Sequence, residues 1–126
     1  MMKKIIFFTI LISGTILLIT NLFLGVEQKN LLFPYIDTHF AKNFSVNKWD
    51  NVKIGMSKDT VLKILGTPLL ESKTPFSSYR PSCAALEMHY SGDGAWRYAD
   101  YAWRSFDLFF DDSNRVIAKS SEWSYD

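Results

Sequence analysis

A helix with both of its ends written out sits in the middle of this 126-residue chain, from Ser57 to Pro68. Ser57 is a favoured N-cap, its hydroxyl placed to accept from the amide of Thr60. Asp59 complements the positive end of the helix dipole. Val61, Leu62, Ile64 and Leu65 make one apolar face, while Lys58 and Lys63 point away. Gly66 supplies the left-handed stop and Pro68 forbids continuation. At about eight residues such a helix does not persist alone in water. It needs a sheet to cover, and the remaining segments are read against that need.

Upstream, Ser45 caps a shorter helix whose Val46, Trp49 and Val52 form a narrow apolar stripe. Pro34 is placed to begin a further short helix, with Ile36 and Phe40 one turn apart. Before that, Lys3 and Lys4 precede an apolar run from Ile5 to Val26 that meets no charge until Glu27. A run of about 20 apolar residues spans a bilayer core, and lysines before it hold the N-terminus in the cytoplasm. No small-x-small triplet closes the run, so an uncleaved signal anchor is expected ahead of a cleaved signal peptide. The domains expected are a signal anchor or transmembrane segment (1–26), a juxtamembrane linker (27–44) and a folded domain (45–126). A single pass through the cytoplasmic membrane would leave that domain in the periplasm, as would secretion after cleavage.

Downstream, Leu69 to Ser82 carries Pro75 and Pro81 and reads as a long loop. Leu86, Met88 and Tyr90 alternate with Glu87 and His89, and Phe106, Leu108 and Phe110 alternate with Ser105, Asp107 and Phe109. Both patterns predict strands. Asp111 to Asn114 is a hairpin loop, and Arg115 to Trp123 the last strand. Trp96 to Trp103 reads equally as strand or aromatic loop. The class is therefore α+β, with two short helices packed on a three- to four-stranded antiparallel sheet and a transmembrane helix in front.

The order of these motifs resembles the SmpA/OmlA (BamE-like) domain family over roughly Val46 to Ser120. Gly55-Met56-Ser57, Val61 and Leu65-Gly66-Thr67-Pro68 carry the resemblance, with the Phe106–Phe110 strand, its Asp/Asn turn and Val116-Ile117. It implies two helices on a three-stranded antiparallel sheet and an envelope role as a protein-binding scaffold. The motif residues Gly55, Ser57, Val61, Leu65, Gly66 and Pro68 all have structural explanations, so the resemblance bears on fold more than on partner. The chain departs from the family in lacking a lipid-acceptor cysteine after the apolar run.

Function is expected to be binding rather than chemistry. The ten Phe, six Tyr and four Trp are many for a chain of this length. Trp and Tyr are enriched at interfaces because they bury large area and keep a polar tip. The candidate surface is Trp96, Tyr98, Tyr101 and Trp103, with Tyr79, Tyr90 and Trp123 as further members and about half of the set assigned to the core. The expected partners are the membrane, through residues 5–26, and another envelope protein. The net charge of +1 gives no reason to expect nucleic acid. One cysteine excludes an internal disulfide. Asp37 with His39 finds no second ligand pair at metal spacing, so neither metal nor cofactor is expected. The alternatives are a mechanical tether or spacer and a Cys-His hydrolase built on Cys83 and His89, with Asp93 or Glu87 orienting the histidine.

Overall fold

The computed structural model describes residues 2–23, 26–75, 77–95 and 100–125. Helix α1 runs Met2–Phe23, α2 Val46–Asp50 and α3 Lys58–Leu65. The strands are β1 (Val26–Gln28), β2 (Thr38–Phe40), β3 (Leu70–Ser72), β4 (Leu86–His89), β5 (Ser91–Asp93), β6 (Asp100–Tyr101), β7 (Trp103–Arg104), β8 (Asp107–Phe110), β9 (Val116–Ser120) and β10 (Trp123–Ser124). The principal sheet has the order β3-β4-β8-β9 and is antiparallel throughout.

Three smaller pairings extend this sheet, and they correct the expectation of one simple three- to four-stranded sheet. β2 pairs with β5 and β7 with β10, both antiparallel, while β1 pairs with β6 in parallel. The physical reason is that the long strands bend. β4 passes into β5 through Tyr90, whose amide still donates to the carbonyl of Phe106. β7 passes into β8 through Ser105 and Phe106, and the Ser105 amide donates to the carbonyl of Glu122. Each bend re-aims the chain and starts a second ladder beside the first. Nor does a helix begin at Pro34: residues 34–37 are turns that lead into β2. The segment expected as unbroken loop contributes β3 as an edge strand.

The apolar N-terminal run does form a helix, but among the described residues no helix is long and apolar enough to cross a membrane. Lys3 and Lys4 occupy its first turn, and Thr9, Ser13, Gly14 and Thr15 interrupt it. The signal anchor or transmembrane segment assigned to 1–26 is therefore corrected. So is the single-pass placement in the cytoplasmic membrane with a periplasmic domain.

The two short helices cover one face of the principal sheet. Ser57 and Ser45 cap as their sequences predict: Oγ of Ser57 accepts from Thr60 N and Oγ of Ser45 from Lys48 N. Val61 and Leu65 of α3 and Trp49 of α2 are buried against Leu86, Met88, Tyr90, Leu108, Phe110 and Val116. An aromatic group closes the open end of this layer. Phe106 meets Tyr35, Phe40, Phe44 and Trp49, with ring centroids 6.4, 6.0, 5.1 and 5.2 Å away.

Gly66 ends α3 at φ 82° and ψ −164°, a combination closed to residues with a Cβ. A Cβ there would also stand 3.1 Å from the backbone oxygen of Lys42. Gly66→Ala is expected to destabilise the domain by about 1–3 kcal/mol, read by urea denaturation. A change below about 0.5 kcal/mol would show that the turn relaxes freely.

Tyr90 lies in this layer with no exposed surface, its hydroxyl donating to the carbonyl of Gly66 at 3.1 Å. Burial, reinforced by the charge of Glu71, holds its pKa far above the ordinary tyrosine value. Burial raises Tyr101 in the same direction, partly opposed by the Asn30 side chain. The folded chain thus keeps both phenols neutral where the unfolded chain would ionise them. Stability is undiminished below about pH 10 and falls as pH rises above it. The phenolate absorbance of Tyr90 and Tyr101 at 295 nm is expected to appear only together with loss of far-UV ellipticity. Comparison with Tyr90→Phe and Tyr101→Phe assigns it, and reversible ionisation of Tyr90 in a folded chain would refute the expectation.

Candidate functional site

Asn30 and Asp37 bracket a loop whose backbone is fixed and whose side chains are not covered. Both are 1% exposed although both are polar. Oδ1 of Asn30 accepts from the amides of Leu32 (3.2 Å) and Phe33 (3.0 Å). Two further turns follow: Ile36 N donates to Phe33 O, and Thr38 N to Tyr35 O. Oδ2 of Asp37 accepts from Tyr101 N at 2.9 Å, and the carbonyl of Asp37 accepts from Gly94 N. Gly94 is required there, since a Cβ would stand 3.0 Å from the Asp37 carbonyl carbon.

On this base the loop presents Leu31, Leu32, Phe33 and Tyr35 to solvent, at 81, 64, 52 and 40% exposure. Tyr35 also reaches back to Phe40 (5.7 Å between centroids) and ties the loop to the aromatic core. A cleft of about 350 Å³ lies between the loop residues Lys29, Leu31 and Leu32 and Gly14, Leu17 and Leu18 of α1. Four large apolar side chains held out on a rigid backbone are the composition of a recognition surface. Its turns are already formed, so docking would need little further ordering of the backbone.

The residues expected to form the aromatic surface are placed differently. Tyr101 is 2% exposed and belongs to the clamp beneath the loop. Trp103 is half-buried, and its indole N–H has no hydrogen-bond partner among the described residues. Trp96 and Tyr98 lie outside the described residues. Of the wider set, Tyr79 is exposed, Tyr90 is buried, and Trp123 lies half-buried beneath the Arg104 guanidinium, 5.2 Å away. The Leu31–Tyr35 surface had a sequence signal, an apolar stretch broken by proline. Nothing local distinguished its exposure from packing on the domain.

Cys83 and His89 are not brought into a nucleophile–base pair. Cys83 is exposed on the segment of residues 73–85. His89 is 7% exposed, and its nitrogens face carboxylates: Nε2 lies 2.8 Å from Oε1 of Glu87 and Nδ1 2.7 Å from Oδ1 of Asp107. Glu87 and Asp107, rather than Asp93, are the carboxylates beside the histidine. These three side chains line the second face of the principal sheet, opposite the helices. Among the described residues no group of three or more His, Cys, Asp and Glu is arranged to hold a metal ion. His39 is exposed on β2 opposite Gly92, and Asp37 is committed to Tyr101.

Set against known proteins, the chain matches no family model, and no curated protein matches it either.

Proposed function

We propose that this chain is a protein-binding or scaffold module that docks a partner onto the Leu31–Tyr35 loop. The observation that carries the reading is the contrast between the loop's fixed backbone and its exposed apolar side chains. Single apolar residues on a surface are ordinary, but four within five positions are not. The matching partner presents an apolar groove that accepts the loop. The motif resemblance to SmpA/OmlA domains around Gly55 to Pro68 supports a scaffold role of the same kind.

A photo-reactive side chain at Leu32, compared with one at Asn47 on the exposed face of α2, tests the proposal in cells. A discrete cross-linked product from position 32, absent from position 47 and abolished by Leu31→Asp, is the expected result. Equal products from both positions, or products only from a probe at Trp96, would overturn the choice of surface.

A further inference from the structure

β9 is an outer strand of the principal sheet, and only its first residues are covered on the outer side. There the chain before α3 runs beside it. Gly55 N donates to the Val116 carbonyl at 2.7 Å, Val116 N to Met56 O, and Lys58 N to Asn114 O. The register shift of β9 against β8 falls at this covered end, at Ile117. Beyond it the pairing is regular, with Phe109 opposite Ala118 and Asp107 opposite Ser120. The same register continues where Ser105 N donates to Glu122 O. Bonded and non-bonded pairs alternate along an antiparallel ladder, so Ala118, Ser120 and Glu122 turn their amides and carbonyls toward the neighbouring strand. Lys119 and Ser121 turn theirs outward. Arg104 takes the Ser121 carbonyl through Nη2 at 2.9 Å. The Lys119 amide, its carbonyl and the Ser121 amide form an open edge, with no strand beside it among the described residues.

Such an edge recognises one kind of partner, an extended backbone that continues the ladder. Proteins close exposed edges with lysines that project along them. Lys119 does not serve that way. Its ammonium donates to the Trp49 carbonyl at 3.2 Å and stands 5.3 Å from the centre of the Trp49 ring, drawn onto the helix layer. The flanking residues 50–55 and 115–122, with Arg104, carry Lys53, Arg115 and Lys119 against Asp50 and Glu122. Lys53 and Arg115 donate to the carbonyls of Asp50 and Gly55, and among the described residues neither is in an ion pair. This excess of positive charge disfavours a second copy, whose pairing would bring both Lys119 side chains to one short stretch of ladder. It favours an acidic segment. Ile54 directly precedes the covered end, is 61% exposed, and offers an apolar contact.

We infer that the outer edge of β9 at residues 119–121 docks an extended, acidic segment of a partner protein, which adds a strand to the principal sheet. This surface is separate from the Leu31–Tyr35 loop. The backbone groups on offer are few, so alternate side chains of the added strand supply much of the affinity, apolar toward Ile54 and acidic toward Lys53, Arg115 and Lys119.

The probe is a peptide of sequence Glu-Val-Glu-Val-Glu, blocked at both ends and added to the isotope-labelled full chain. Nuclear magnetic resonance should show the Lys119 and Ser121 amides shifting and gaining protection from hydrogen exchange. A probe with lysines for its glutamates should bind about tenfold more weakly, since several exposed charge contacts reverse together. A probe N-methylated at alternate amides should not bind. Lys119→Pro removes an outward N–H without breaking a ladder bond and should abolish binding. Lys119→Glu, which keeps the backbone, should weaken it. Far-UV circular dichroism establishes that each variant is folded, and Lys119→Glu with the N-methylated probe decides the matter if Lys119→Pro is not. No response at millimolar probe, equal binding of the lysine or N-methylated probe, or shifts that spare Lys119 and Ser121 would each overturn the inference. So would protection of both amides before any probe is added, in a chain that sediments as a dimer, which would assign the edge to a second copy.

Discussion

Phe106→Ala is expected to destabilise the domain by about 3–5 kcal/mol, a large part of the 5–15 kcal/mol that holds a small domain together. Phe106 is 2% exposed, and its ring is common to contacts with Tyr35, Phe40, Phe44 and Trp49. Those neighbours come from the apolar loop, β2, the turn before α2, and α2 itself. Large rings cannot collapse into the space left by another ring without moving their own elements. The cavity therefore stays open, and its cost adds to the lost transfer energy. Edge-to-face geometry, such as the 82° between Phe106 and Trp49, adds a further contribution that a non-aromatic replacement loses. Phe106→Leu should cost less than half as much, because it keeps most of the volume. Thermal unfolding followed by circular dichroism reads the difference. An alanine variant melting within about 3 °C of the parent, less than 1 kcal/mol for a domain this size, would show that the cluster is peripheral. If the loss is as large as expected, loop 31–35 should lose its fixed conformation too, since Tyr35 connects it to this ring.

Why some of this was legible beforehand and some was not follows from the range of the forces involved. Helix α3 is specified by Ser57, four apolar residues at helical spacing, Gly66 and Pro68, all within twelve positions, so its start and stop are local facts. The alternation in β4 and β8 was equally local, and it correctly separates Leu86, Met88, Leu108 and Phe110 from Glu87, His89 and Asp107. Alternation alone gives the polar set to solvent. Its burial depends on a segment that contributes nothing periodic, held by one carboxylate ten positions from the amide it binds. The burial of Tyr101 escapes local pattern for the same reason. Its place in the clamp comes from a hydrogen bond that its backbone amide donates to Asp37, 64 positions away, and no local pattern carries that information. The bends at Tyr90 and Ser105 break long strands into several ladders without Gly or Pro to announce them. Lys3 and Lys4 and the polar residues of α1 are visible in the sequence, and they dilute an apolar run whose length alone suggests a membrane span.

Arg80→Met should detach residues 77–85, the strap that leads into β4 and is tied to Glu87 through Ser77 N and Arg80. The substitution keeps an aliphatic stem of similar length and removes the guanidinium that faces the fully buried Glu87. Breaking a buried ion pair from one side costs about 3–5 kcal/mol, because the remaining charge stays desolvated. The carbonyls of Lys73 and Ala84 lose a donor as well. Glu87 regains water most cheaply when residues 77–85 lift, so the penalty falls on strap closure before it falls on the whole domain. At about 1.4 kcal/mol per decade, even the lower figure is a shift of about a hundredfold toward the open strap. Thermolysin cleavage within residues 77–85 under native conditions should accelerate by that factor, while cleavage within α3 is unchanged. The double variant Arg80→Met with Glu87→Leu removes the buried carboxylate together with the guanidinium and should return most of the protection, since an apolar pair of similar volume replaces an ion pair without great loss. Equal cleavage in the parent and in Arg80→Met would mean that the guanidinium does not hold the strap. A double variant cleaved as fast as the single one would shift the cause from charge to the lost carbonyl contacts, and the fastening would then reside within the strap rather than at Glu87.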